Sequence, residues 1–397
     1  MEPIEFIDPW YYSTAFYIFL LIVCWATTIY HLGSNGQKIL YAENSGSQGV
    51  AILLMVLMSF FVGLRQLTRD FGDTRVYAGG YNYIKGIEEF VPFNFKTEWF
   101  WHDLEVFCRV ILGLNVHEFF VLVALVFFGG MLICSVILTR ENLWLSMLFF
   151  YSALQTFTFG VNGIRNGMAC SIVLIAVAII ASKKKVTIGS IILMFIGLGI
   201  HRSTILPSAA VIASLFYVKD HPKYAFRFWM LSIVISLVAG PVVERFFASL
   251  GFDDRMSSYH QAQFNEDVAE TFSSTGFRWD FLLYSTFPVV MIWYVIHQRR
   301  FNDATYNIIA STYILCNAFW IMVIRAAFSN RFAYLSWFLY PIVICYPLLR
   351  MNMWEDQDRR TSLIFFFYTG FTFFMFFVYY FGTTGFRGFD LYWWKKI

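Results

Sequence analysis

Ten charged or titratable side chains fall where charge is costly. Arg65, Asp73, Arg75, Arg165, His201, Arg202, Arg278, Asp280, Arg325 and Arg331 sit mostly at the ends of apolar runs, not in mid-loop. A charge at that depth marks, by default, a substrate or ion path. Several guanidinia at one level repel one another unless an anion lies between them. A guanidinium also grips phosphate oxygens in a two-pronged fork. The chemistry this set suits is the holding of a phosphate or diphosphate headgroup at a membrane interface, with its lipid tail left in the bilayer. A single arginine at a helix end more often just reaches toward lipid headgroups. The weight therefore rests on how many share a level.

The apolar runs must supply that level. The chain is 397 residues, 58% hydrophobic and 14% charged, where a soluble domain carries about 25% charged residues. Apolar runs near 20 residues recur, and the short alternating segments of a β-barrel do not. The expected fold is all-α: a polytopic integral membrane helical bundle of about eleven to twelve passes, one domain over residues 1–397. Ile164–Ser182 spans about 28 Å at about 1.5 Å per residue, roughly one hydrocarbon core. It separates Arg165 from Lys183-Lys184-Lys185, which read as a cytoplasmic turn. Val186–Ile200 then brings His201 back to the level of Arg165, and Pro207 disfavours one continuous helix through Val186–Val218. The other expected passes are Tyr11–His31, Val50–Leu64, His117–Thr139, Leu143–Phe159, Thr204–Val218, Phe228–Ser249, Asp280–Ile296, Ala304–Ile324, Phe332–Leu349 and Thr361–Tyr380. Both termini fall outside. Arg140, Arg299, Arg300, Arg359 and Arg360 set orientation. The acidic Met1–Pro9 lacks the basic start of a cleaved signal peptide, so the first helix is expected to stay.

Two long loops remain, residues 65–116 and 251–279, both expected outside. The first is rich in Tyr, Trp and Phe, which argues against disorder and for short interfacial helices. Trp99, Trp101, Trp279, Trp393 and Trp394 suit either an aromatic belt or stacking on sugar faces. Five of the six cysteines lie in apolar runs and Cys108 in a loop. No pair has metal-ligand spacing, so neither a zinc site nor a disulfide framework is expected. The net charge of +3 gives no reason to expect nucleic acid.

Four stretches carry a resemblance. They are Gly63-Leu64-Arg65 with Gly72-Asp73-Thr74 and Tyr77; Asn162-Gly163-Ile164-Arg165 with Gly167-Met168-Ala169 and, after the basic turn, His201-Arg202-Ser203; Gly276-Phe277-Arg278-Trp279-Asp280-Phe281; and Asn330-Arg331-Phe332. In this order they resemble the EpsG/Wzy-type bacterial polysaccharide polymerases of O-antigen, capsule and exopolysaccharide pathways. Arg202 departs from the smaller or lysine-like residue expected beside the histidine. The resemblance implies a GT-C-like membrane glycosyltransferase of the bacterial inner membrane, its site facing the periplasm or outside. Donor and acceptor would both be undecaprenyl-diphosphate-linked oligosaccharide repeats. The growing chain moves to the non-reducing end of the incoming repeat, and undecaprenyl diphosphate leaves. Besides membrane lipids, a separate chain-length regulator is implied as partner, and no cofactor.

That reaction needs cations for the departing diphosphate and a base for the acceptor hydroxyl. Arg165, Arg278, Arg325 and Arg331 are assigned to the diphosphate, with Arg65 next. Asp73 is the first candidate base, then His201 and Asp280. Tyr77, Trp99 and Trp279 are expected to touch glycan. No acidic pair lies beside the arginines, and Asp253-Asp254 is a metal candidate by composition only, so metal independence is expected. The rivals are an O-antigen ligase or polyprenyl-phosphate-sugar transferase, a lipid-linked oligosaccharide flippase, and a structural subunit of an export machine. A flippase calls for charge at mid-depth and internal repeats, neither of which is visible.

Overall fold

A computed structural model describes residues 1–33, 45–95, 97–249, 277–325 and 329–376, with backbone alone at 33, 45–47, 244–249 and 329–331. The second long loop apart from its last three residues, Asp253-Asp254 with it, and the tail with Trp393 and Trp394 lie outside these residues. The described residues contain helices and no strand. In chain order the helices are α1 Pro9–Gly33, α2 Ser45–Gly63, α3 Thr74–Tyr83, α4 Trp99–Val106, α5 Val116–Leu138, α6 Leu143–Tyr151, α7 Thr156–Val161 and α8 Ile164–Lys183. They continue as α9 Ile188–Ile200, α10 Ile205–Ala213, α11 Lys223–Ser249, α12 Trp279–Trp293, α13 Ala304–Met322, α14 Ser329–Trp337, α15 Tyr340–Arg350 and α16 Gln357–Phe374. The polytopic helical fold is as expected.

Among the described residues, six segments are long and apolar enough to cross a membrane: Pro9–Leu32, Val116–Leu138, Ile164–Lys183, Lys223–Val243, Trp279–Gln298 and Phe332–Arg350. The other expected passes are shorter, less apolar or broken helices, and the breaks have local causes. Leu143–Phe159 parts between α6 and α7, where Ser152 Oγ donates to Leu148 O at 2.5 Å and Thr156 Oγ1 to Phe150 O at 2.7 Å. Hydroxyls that bond nearby carbonyls compete with the helical ladder. The chain is extended at His201 (φ −151°, ψ 114°), which separates α9 from α10. Pro207 then falls in the first turn of α10, where proline costs little. α11 is kinked at Ala239 (φ −129°, ψ 15°), two residues before Pro241. Large apolar side chains stay exposed along the helices, among them Ile22, Ile29, Val238, Val242 and Phe367, as lipid-facing residues do.

Two compact units divide the chain: Met1–Ser171 with Leu348–Ile397, and Ile172–Pro347. In the first, α2 packs closely on α5. A Cβ at Gly63 would lie 2.5 Å from Val121 Cα, so only glycine permits this approach. α5 starts on a capping box: Asn115 Oδ1 accepts from His117 N and Glu118 N, both at 3.0 Å, and Glu118 Oε2 accepts from Asn115 N at 2.8 Å. That box ends the long loop and sets where α5 begins.

The second unit is built on the nearly fully buried α13. Several polar side chains are paired inside this core. Asn317 accepts from Trp229 Nε1 at 2.8 Å and donates to Ser336 Oγ at 3.0 Å, while Trp337 Nε1 donates to Ser285 Oγ at 2.7 Å. Asp303 caps α13 through Thr305 N at 2.7 Å and accepts from Tyr346 OH at 2.7 Å. In a packed interior such paired groups fix which helices meet.

Candidate functional site

The long loop folds into short helices, as its aromatic content suggested, and docks on the start of α8. Two of the four motif stretches meet there. Asp73 N donates to Asn162 Oδ1 at 2.8 Å, and Thr74 Oγ1 to Val161 O at 2.8 Å. Gly72 makes the turn possible. Its φ is +59°, and a Cβ would sit 2.5 Å from Asn162 Oδ1. Gly72→Ala combines left-handed strain with a clash and is expected to cost about 1–3 kcal/mol. A fall in the unfolding midpoint in detergent checks this.

Arg65 lies beneath that turn, 1% exposed. Its Nε donates to Thr74 Oγ1 at 3.0 Å, Nη1 to Val62 O at 2.8 Å and Nη2 to Val161 O at 2.9 Å. The guanidinium also covers the Phe120 ring at 4.5 Å. Burial lowers its pKa to about 9, while the tyrosines Tyr12 and Tyr77 oppose the fall, so it stays charged at neutral pH. A fully enclosed guanidinium with donors on three carbonyl and hydroxyl oxygens ties the end of α2 to α3 and the end of α7.

Arg165 stands in the first turn of α8. Its Nη1 donates to Glu98 Oε2 in an ion pair, and its guanidinium lies 5.5 Å from the Tyr77 ring centre. Its Nε is buried without a hydrogen-bond partner among the described residues. A buried unpaired donor costs about 1–3 kcal/mol, which an incoming anion would relieve. Tyr77 is also edge-on to Trp101 at 6.0 Å, and Trp99 packs on Phe93 at 4.8 Å.

Sequence reasoning missed the carboxylates here. Glu98, His102 and Glu105 follow at i, i+4 and i+7, one face of α4. That spacing was visible in EWFWHDLE, but the run stood out only for its aromatics. Glu105 is 8% exposed. Burial raises its carboxyl to about 8. The Arg165 charge and a hydrogen bond with Trp101 oppose the rise, and Glu98 adds to it. His102 Nε2 lies 3.1 Å from Glu89 O, and Asp103 Oδ1 accepts from Val91 N at 3.0 Å, so α4 holds the preceding loop in place. Arg109 Nε donates to Ile84 O at 3.2 Å, and Tyr81 OH to Leu114 O at 2.9 Å, fastening α3 to the stretch after α4.

The remaining predicted residues belong to the second unit. Arg278 holds Asp280 with two bonds, Nε to Oδ1 at 3.0 Å and Nη2 to Oδ2 at 2.6 Å, and covers the Phe281 ring at 3.8 Å. Trp279 packs on Phe277 at 4.3 Å, and Arg325 lies 5.7 Å from that same Phe277 ring. Arg325 and Trp279 thus share the Phe277 ring, Arg278 lies on Phe281, and both oxygens of Asp280 are engaged. His201 ends α9, its carbonyl accepting from Thr204 N at 3.1 Å and Thr204 Oγ1 at 2.8 Å. Arg331 lies in the first turn of α14, and its side chain is outside the described residues. Among the described residues no three His, Cys, Asp or Glu side chains gather to hold a metal ion, and the six cysteines are buried and form no disulfide.

No curated protein and no solved structure matches the chain. The EpsG family model matches residues 50–390, from the end of the first turn of α2 to beyond α16. With the resemblance borne out over most of its length, the chain belongs to the EpsG family.

Proposed function

We propose that this multi-pass membrane protein is a polysaccharide polymerase. It would join undecaprenyl-diphosphate-linked oligosaccharide repeats on the outer face of the bacterial inner membrane. The growing chain passes to the non-reducing end of the incoming repeat, and undecaprenyl diphosphate leaves. One observation carries the reading: the two motif stretches at Gly72-Asp73-Thr74 and Asn162–Arg165, about ninety positions apart, are in direct contact. They meet beside an oriented arginine with a buried unpaired donor.

In this reading Arg165 takes the diphosphate, and Glu98 and Tyr77 aim it. Arg278 and Arg325, with Arg331, are the second unit's cations for the same class of headgroup. Arg65 moves from the diphosphate to the fold, because each of its three nitrogens already donates to the protein and its charge is enclosed. Asp280 moves from base to partner of Arg278. Trp279, 63% exposed, keeps its assignment to glycan together with Tyr77 and Trp99. A chain-length regulator remains the partner this activity would use.

The guanidinia supply the charge a leaving diphosphate needs, so the reaction is proposed to be metal-independent. Full activity in chelator is the expected result. Loss in chelator with recovery in Mg²⁺ or Mn²⁺ would contradict it. The reading itself is tested with purified protein in detergent and a lipid-linked repeat as sole substrate. A ladder of products on undecaprenyl diphosphate supports it. A single transfer to a different acceptor points to a ligase. Movement of the substrate across a vesicle without bond formation points to a flippase.

A further inference from the structure

The geometry points to the cleft between α3 and α4 as the site of the acceptor sugar, with Glu105 the group that takes the proton of its attacking hydroxyl. This rests on the polymerase reading above and replaces Asp73 as the base.

The cleft holds about 500 Å³, within the range of small-molecule sites. Gly79 and Gly80 form part of its lining, and a Cβ on either would meet nothing within 4 Å, so this wall is bare backbone. Tyr83, 73% exposed, offers an aromatic face at one side. Glu89, His102 and Glu105 supply the polar lining. Bare backbone, one aromatic face and hydrogen-bonding groups suit a ring bearing hydroxyls. The charge selects which end of the substrate enters. The Glu89 carboxylate, joined by Glu105 once it ionises, repels a diphosphate, so the headgroup is excluded. The neutral non-reducing end of a repeat is not.

Glu105 sits at the buried end of this lining. The charged and titratable groups around it are Arg165 from α8, Glu98 and His102 from its own helix, Glu89 from the preceding loop, Tyr81 from α3, and Cys108 from the turn that follows. Burial outweighs the Arg165 charge and leaves its carboxyl titrating near 8, which suits a base working close to neutral pH. Asp73, by contrast, stands at the start of α3, where its backbone is tied to Asn162. In the step itself the acceptor oxygen forms its bond to the anomeric carbon. The bond from that carbon to the diphosphate oxygen breaks, and its electron pair leaves with undecaprenyl diphosphate. The acceptor's proton goes to a carboxylate oxygen of Glu105 and from there to water.

The test uses the full-length protein in detergent. The donor is the lipid-linked repeat, and the probe acceptor is the repeat oligosaccharide on a short alkyl group without diphosphate. Wild-type rate is expected to rise with pH to a plateau, with its midpoint near 8. Glu105→Gln is nearly isosteric with the protonated form and is expected to fold. It should lower the rate by about 10²–10⁴-fold and abolish that limb. Glu105→Asp should restore part of the rate and the limb. Tyr83→Ala, on the exposed wall, should raise the acceptor's KM several-fold and leave the donor's unchanged. Glu105→Gln with the wild-type rate and limb overturns the proposal, as does Tyr83→Ala shifting the donor's KM alone. Should Glu105→Gln fail to fold, Glu105→Asp and Tyr83→Ala decide by the same criteria. A wild type that makes no ladder overturns the polymerase reading, and this proposal with it. A wild-type ladder unaffected in the variants overturns this proposal alone.

Discussion

Arg65→Ala should lose about 3–5 kcal/mol of stability and bring down the whole long loop. The estimate comes from what the guanidinium touches. Its removal leaves the Val62 carbonyl and the Thr74 hydroxyl without the guanidinium's donors and the Val161 carbonyl with the Thr74 hydroxyl alone, in a place closed to water. Each orphaned buried group costs about 1–3 kcal/mol, and the Phe120 ring loses its cover. Arg65→Lys should recover only part of this, because an ammonium on a flexible stem cannot hold three acceptors in a fixed fork. The unfolding midpoint in detergent measures both. A stable Arg65→Ala protein that has lost only its product ladder would return Arg65 to the diphosphate.

Arg165→Ala should do the opposite. Arg165 is part-buried, and its buried Nε has no partner to lose, so stability should change less than for Arg65→Ala. Activity should fall about 10²–10³-fold or more, as it does when a preorganised donor is removed from a developing oxyanion. Arg165→Lys should not rescue it, since the charge returns without the fork or the stacking against Tyr77. Glu98→Gln should give an intermediate loss, because the arginine keeps its charge and loses its aim. Initial rates of ladder formation by folded variants check this series.

The same two arginines show what was legible in the sequence. Both stand beside an apolar helix, and both looked like headgroup ligands. The apolar periodicity that placed them is local, so helix existence could be read directly, and α1, α5, α8 and α12 lie close to where they were expected. What separates the two arginines is long-range. Arg65 is enclosed by Val161 and Phe120, far along the chain, and composition near residue 65 carries no trace of that. The broken Leu143–Phe159 run was misread for the converse reason: its hydropathy is continuous, and only the hydroxyls of Ser152 and Thr156 mark the break. Glu105 was hidden by its neighbours. Between tryptophans and phenylalanines a glutamate reads as the polar edge of a belt. Its burial becomes visible only when α3 and α8 close over it. Gly63 and Gly72 were picked out as motif residues, and the structure supplies their physical reason, close approach in one and a left-handed turn in the other.

The most direct test of the account is stoichiometry. Purified protein is given the lipid-linked repeat alone, and glycosidic bonds formed are counted against undecaprenyl diphosphate released. The account predicts one released for each bond, with every product still carried on a single remaining undecaprenyl diphosphate. Bond formation without matching release, or products found on any other carrier, would contradict it.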